Sequence, residues 1–269
     1  MKKTGLLLFL LFVISSCSTE TKLLNPESVC FDYNSKIYFV SNYGDGSIVK
    51  IDKNNRMKPF VSGYSRFMGI AYKNDIIYVA QDAPNGDDYI RAFNAQTAEE
   101  VNAIKVIGSK QLNDIAIDNK GNLYVSDRID HKIYKVDLTS ASYEVILDNT
   151  IDTPNGVYLK AKENKLLICN TVLKSSIYEL DLDSYELNVL HRTNYSYLDG
   201  ITVDEMGNIY VSSWSENWKS GKLIKLKGDG KATVILESEA MADINYNVKT
   251  KSIDIANFLK NSIQSIRVR

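Results

Sequence analysis

Glu27, Asn113, Asn155 and Asp199 are the side chains of this sequence best suited to chemistry, because each stands at the mouth of a short apolar stretch that follows a turn. Met68 and Asp243 occupy the same phase, and the spacings along the set are 41, 45, 42, 44 and 44 residues. Five of the six carry carboxylate or amide oxygens. Brought to one height around an axis, Glu27, Asn113, Asn155 and Asp199 offer four oxygen ligands, two charged and two neutral. Calcium takes six to eight oxygens in flexible geometry and accepts waters for the remainder. Another divalent cation is compatible with the set, although magnesium wants tighter octahedral packing. Zinc favours His or Cys, and neither occurs at these positions. Asp243 is expected to accept a hydrogen bond from a ligand residue or a water, and Met68 to act as an apolar plug. Taken singly, Asn and Asp at strand starts are ordinary turn residues. The shared phase is what makes the set a candidate site.

Such residues meet only if the elements behind them converge. A repeat of this length, built from short strands, signals a radial β-architecture. In the fifth unit Gly200 to Asp204, Asn208 to Ser213, Lys222 to Lys227 and Ala232 to Leu236 read as strands. Glu205-Met206-Gly207 and Gly228-Asp229-Gly230 supply turns between them. The third and first units repeat the pattern. The sixth has only three strand signals, Ile244 to Asn245, Ser252 to Ile255 and Ser262 to Val268. Thr21 to Leu24 are expected to pair with the third of these and close the ring, covering an exposed edge. The fold class that follows is all-β: a six-bladed β-propeller of four-stranded antiparallel blades over residues 21–269. Loops between second and third strands open on the same face as the site. They carry Tyr43, Trp214, Trp218 and Phe258, which are expected to wall an apolar mouth.

The chain starts Met-Lys-Lys, runs apolar from Leu6 to Ile14 and reaches Ser15-Ser16-Cys17. A basic start, a short apolar core and small residues describe a secretory signal. Ile14-Ser15-Ser16-Cys17 also resembles the bacterial lipobox, making 1–16 a lipoprotein signal peptide, Cys17 the lipidated residue and 17–20 a tether. Ordinary signal cleavage is the alternative. Several acyl chains on Cys17 would hold the protein to a membrane of the cell envelope, the outer membrane being expected, facing the periplasm or the surface. Without residues 1–16, 30 Lys and Arg face 33 Asp and Glu, which gives no basic field for nucleic acid. A monomer is expected. Cys30 and Cys169 fall in the first and fourth repeats, opposite one another in a ring and beyond disulfide reach. Both read as small buried residues.

Pro26-Glu27, Leu112-Asn113-Asp114, Pro154-Asn155-Gly156-Val157 and Leu198-Asp199-Gly200-Ile201, followed by Asp204 and Gly207-Asn208, resemble the blade starts of the senescence-marker-protein/gluconolactonase family. The resemblance covers the whole mature chain. It implies a calcium ion held by Glu27, Asn155 and Asp199, with Asn113 touching ion or substrate. It also implies hydrolysis of lactones or esters; related propellers cleave phosphotriesters. Asp199 matches the family carboxylate that serves as base or nucleophile. Two positions depart from the pattern. Ser28-Val29 follow Glu27 where the family has Gly-Pro, and Gln111 stands where sugar lactonases place a substrate-holding Arg. Gln111, Asp243, Tyr43 and Trp214 join Asn113 as residues expected near substrate. The function expected is therefore a membrane-anchored, calcium-dependent hydrolase of small-molecule lactones or related esters. A non-catalytic propeller lipoprotein that binds a ligand or partner is the alternative, and a metal-free structural surface module is a third reading.

Overall fold

Alternation of apolar and polar residues between turns gives 23 strands and no helix in the computed structural model, which describes residues 21–84 and 86–268. Blade one is β1 (Pro26–Asp32), β2 (Ile37–Asn42), β3 (Ile48–Ile51) and β4 (Met57–Val61). Blade two is β5 (Phe67–Lys73), β6 (Ile76–Gln81), β7 (Asp88–Asn94) and β8 (Glu100–Val106). Blade three follows as β9 (Leu112–Ile117), β10 (Asn122–Asp127), β11 (Lys132–Asp137) and β12 (Ser142–Asp148). Blade four contains β13 (Pro154–Lys160), β14 (Lys165–Asn170), β15 (Ser176–Asp181) and β16 (Leu187–Arg192). Blade five contains β17 (Leu198–Val203), β18 (Ile209–Trp214), β19 (Ser220–Leu226) and β20 (Ala232–Glu239). Blade six is β21 (Ile244–Asn247), β22 (Ser252–Asn257) and β23 (Ser262–Arg267). Each sheet is an antiparallel meander, and the innermost strands pack on one another in chain order, the first closing on the last. This is the six-bladed β-propeller expected from the repeat.

Tight Asp-centred turns join first to second strands on the far face. In blade three Asp118 Oδ1 accepts from the backbone N–H of Lys120 and Asn122, both at 2.8 Å. In blade five Asp204 Oδ1 accepts from Met206 and Asn208, both at 2.9 Å. Gly207, at φ 82°, supplies the left-handed residue that this turn needs.

The core is not one mass but six apolar clusters, one at each junction between blades. Hydroxyl groups stitch the same junctions near the axis. Ser126 Oγ accepts from the Asp114 N–H of its own blade at 3.1 Å and donates to the Asn155 carbonyl of the next at 2.6 Å. Ser212 does the same between Gly200 and Ala242, at 2.8 and 2.7 Å. Ser41 links Ser28 to Met68, at 3.1 and 2.5 Å. All three serines are fully buried, so these bonds satisfy backbone groups that water cannot reach.

Ring closure differs from the expectation. Among the described residues the sixth sheet has three strands, and Thr21 to Leu24 form none. Their backbone is committed elsewhere: the Leu24 and Asn25 carbonyls accept from Gly44 and Tyr43 of blade one, each at 3.0 Å. Leu23 is buried in the cluster between blades six and one, with Val29, Val40 and Val49. The segment therefore works as an apolar wedge, not as a fourth strand. Closure rests on direct bonds, Asp243 N–H to the Glu27 carbonyl at 3.0 Å and Asn25 N–H to Asn261 Oδ1 at 2.7 Å. Cys30 and Cys169 are free and buried, as expected. The signal, Cys17 and the tether lie outside the described residues.

Candidate functional site

Blades one to five each carry a β-bulge in the first strand, where pairing with the second strand slips. Glu27, Met68, Asn113, Asn155 and Asp199 sit in those bulges. A bulge frees its residue from the alternation of the sheet and re-aims the side chain. All five residues line one pit of about 170 Å³ on the axis, together with Gln111, Arg128, Thr171 and the aromatic groups Tyr43, Trp214, Trp218 and Phe258. Gly156, next to Asn155, permits this convergence: a Cβ there would stand 2.3 Å from the Asp199 carbonyl oxygen.

Asp243 does not belong to this ring. The Ser212 hydroxyl reaches the carbonyl of Ala242, just as Ser126 reaches Asn155, so Ala242 is the sixth member. The inward apolar anchors Ile201 and Ile244 are 43 residues apart, and a step of 44 from Asp199 overshoots by one. Asp243 shares its level with Asp114 instead. Both line a second chamber of about 270 Å³ with Val29, Ile70, Ile115, Val157, Ile201 and Ile244. The Asp243 carboxylate accepts from Ser28 Oγ, next to Glu27, and not from one of the ligand residues expected to donate to it.

Burial dominates the electrostatics of the pit. It pushes the Glu27 carboxyl well above its ordinary range, with the charge of Asp199 adding to the rise and Arg128 opposing it. Asp199 is pushed up to about 6 by burial, against the Trp214 hydrogen bond, Arg128 and Asn155. Trp214 Nε1 donates to Asp199 Oδ2 at 2.6 Å. Asn155 Nδ2 donates to Thr171 Oγ1 at 2.8 Å, and that hydroxyl spends its own proton on the Leu198 carbonyl at 2.7 Å. The amide orientation is thereby fixed. Its Oδ1 is buried without a protein partner, one of two such side-chain oxygens among the described residues; Asn257 Oδ1 is the other.

Two crowded carboxyls and an orphaned amide oxygen describe a pit short of positive charge, and an oxygen-seeking cation answers that shortage. Glu27, Asn155, Asp199 and Asn113 thus fit the calcium that the sequence suggests. Among the described residues no three His, Cys, Asp or Glu side chains cluster as metal ligands, so the fit depends on the amides.

Arg128 lines the pit too, although the sequence pattern does not single it out. Its backbone N–H donates to the Gln111 carbonyl at 3.0 Å and its Nε to Gln111 Oε1 at 2.7 Å. Gln111 Nε2 in turn donates to Asp82 Oδ2 at 3.2 Å, which also accepts from Arg66 Nη1 at 3.2 Å. A repeated backbone bond explains the placement. Tyr43, Asp82, Arg128, Thr171 and Trp214 each donate an N–H to the carbonyl two residues before a ring member. They form an upper ring, one residue past or at the end of the second strand. That common phase is the one signal in the sequence that points to Arg128.

Residues 25–242 match the SMP-30/Gluconolactonase/LRE-like region. The chain belongs to that family. No curated protein matches it in sequence. In fold it is similar to a gluconolactonase from Xanthomonas campestris, with TM-score 0.76 and 12% identity over 92% of this chain and 87% of that one. A Bacteroides thetaiotaomicron protein of unknown function gives TM-score 0.75 and 13% identity, over 92% and 70%. An auxiliary nutrient binding protein from the same organism gives 0.71 and 13%, over 91% and 69%. At these identities the likeness concerns the fold alone. Within this SMP-30/gluconolactonase/LRE-like propeller, the guanidinium of the pit comes from Arg128, while Gln111 serves as its anchor.

Proposed function

We propose that this lactonase-like propeller is a calcium-dependent hydrolase of lactones or related esters, held on the bacterial cell envelope by lipid on Cys17. The observation that carries the reading is the pit itself, where Glu27, Asn113, Asn155 and Asp199 converge around an amide oxygen without a partner. Glu27, Asn155 and Asp199 would hold the cation, with Asn113 at its side. When bound, the ion supplies Lewis acidity toward a scissile carbonyl. Asp199 takes a proton from the attacking water or attacks directly. Trp214 donates to one of its oxygens and so fixes the carboxylate beside the proposed cation. Tyr43, Trp214, Trp218 and Phe258 exclude water from the mouth and receive the apolar part of the substrate. The run from Leu6 to Cys17 supports the anchor, which labelled-lipid incorporation lost in Cys17→Ser would test.

The central experiment is a panel of lactones and esters, with calcium and after chelation, for the wild type and Asp199→Asn. Turnover is expected only with calcium, and roughly 10²- to 10⁴-fold lower in the variant, the usual range for a lost general base. Equal behaviour of both proteins on every substrate would end the catalytic reading. A ligand-binding lipoprotein without turnover is the second reading, favoured by the aromatic mouth, where Trp218 is 47% exposed. It predicts calcium stabilisation and tryptophan quenching by ligands, with no hydrolysis at all.

A further inference from the structure

A guanidinium beside two carboxylates usually pairs with them, and here it does not. Arg128 is half-buried and lines the pit with Glu27 and Asp199, yet makes no direct ion pair with either among the described residues. Its Nε edge belongs to Gln111. The relay from Arg66 through Asp82 to Gln111 holds the acceptor end of that amide toward Arg128, because the donor end is already spent on Asp82. The two terminal Nη groups therefore keep a fixed position, and no protein acceptor meets them among the described residues.

The other half of the mouth is aromatic. Tyr197, Trp218, Trp214, Phe258 and Tyr43 form a continuous arc over blades five, six and one, with successive ring centroids 4.8, 5.7, 5.5 and 5.6 Å apart. Arg128, on blade three, stands across the axis from Phe258 on blade six. A ligand that satisfies both halves is apolar at one end and anionic at the other. A cation on the floor of the pit would strengthen this demand, since it leaves the guanidinium no carboxylate to balance it.

We propose that this site takes an amphiphilic anion, a lactone or ester carrying a carboxylate that binds the free Nη edge of Arg128 while its apolar part lies along the arc from Tyr43 to Trp218. The assignment of a scissile bond rests on the hydrolase reading; the binding geometry does not. Charge-assisted bonds to a planar guanidinium edge favour carboxylates by geometry as well as charge. Arg128 is thus the residue that sets specificity, and Gln111 the residue that positions it.

Both tryptophans of the chain lie on this mouth, so intrinsic tryptophan fluorescence reports it directly. The calcium-loaded full chain is titrated with 4-phenylbutanoate and with its neutral analogue 4-phenylbutanamide, neither of which can be hydrolysed as an ester. The acid is expected to bind about 10- to 100-fold tighter than the amide, the range for hydrogen bonds to a charged group. Arg128→Met is expected to abolish that preference by weakening the acid far more than the amide, and Arg128→Gln repeats the comparison should the first variant not fold. Equal affinity of acid and amide for the wild type overturns the proposal. So does an acid preference that survives in the Arg128 variants, which would place the carboxylate on the cation. If the Arg128-dependent preference appears but no ester or lactone is turned over, the hydrolase reading fails and the ligand class stands. If hydrolysis appears without the preference, the reverse holds.

Discussion

Thr171 shows how one hydroxyl can set the chemistry of a neighbour. It accepts from Asn155 Nδ2 and donates to Leu198, so only the oxygen of that amide is free to face the pit. Thr171→Val keeps the shape and removes the restraint. Calcium affinity, read by titration calorimetry, is expected to fall about 10- to 100-fold, as when the partner of a metal ligand is lost. Unchanged affinity would mean that Asn155 contributes nothing through its orientation. Neither Thr171 nor Arg128 stands out in the sequence, and for a common reason. The upper ring holds Tyr43, Asp82, Arg128, Thr171 and Trp214, which share a phase but no chemistry. Glu27, Asn113, Asn155 and Asp199 were legible because position and residue type agreed.

At the scale of strands and blades, period-two alternation gave the meanders directly, and the expected strands of unit five differ from β17 to β20 only at their ends. The bulges left no such mark. A bulge adds one residue without changing composition, so phase counted along the chain drifts and sets Asp243 one position away from its true level. The serine stitches leave no mark in the sequence either, since a buried Ser in a strand reads as any small residue. Their contribution is testable. Ser126→Ala leaves the Asp114 N–H and the Asn155 carbonyl without their shared partner, and should cost about 1–3 kcal/mol in denaturant unfolding. Gly156→Ala drives a methyl against the Asp199 carbonyl and should cost about 1–3 kcal/mol by overpacking, pushing blades four and five apart at the pit. Either variant within a few tenths of a kcal/mol of wild type would show that the junctions relax freely.

For the whole molecule, the ring gathers more negative charge on its axis than it neutralises. Besides Glu27 and Asp199, burial pushes Asp114 up to about 7 and drives Asp243 upward, with the charge of Asp114 adding to the rise of Asp243. In the unfolded chain these groups titrate at roughly 4. Between that value and about 7 the cation-free folded state therefore holds protons that the unfolded state has released, and stability falls as pH rises. The cation-free protein should accordingly melt at a higher temperature at pH 5 than at pH 8. Calcium at the proposed site would counter this trend, because it would bind Glu27 and Asp199 in their ionised forms and compete with protons below that window. At a 100-fold excess over Kd it contributes about 3 kcal/mol, or roughly 5–10 °C for a domain of this size. That gain is expected at pH 8 and should shrink toward pH 5. Differential scanning calorimetry at both pH values, with calcium and with chelator, measures all four combinations. A calcium shift of equal size at the two pH values, or a cation-free protein that gains stability from pH 5 to 8, would show that the ring's carboxyls are balanced by the fold itself and need no ion.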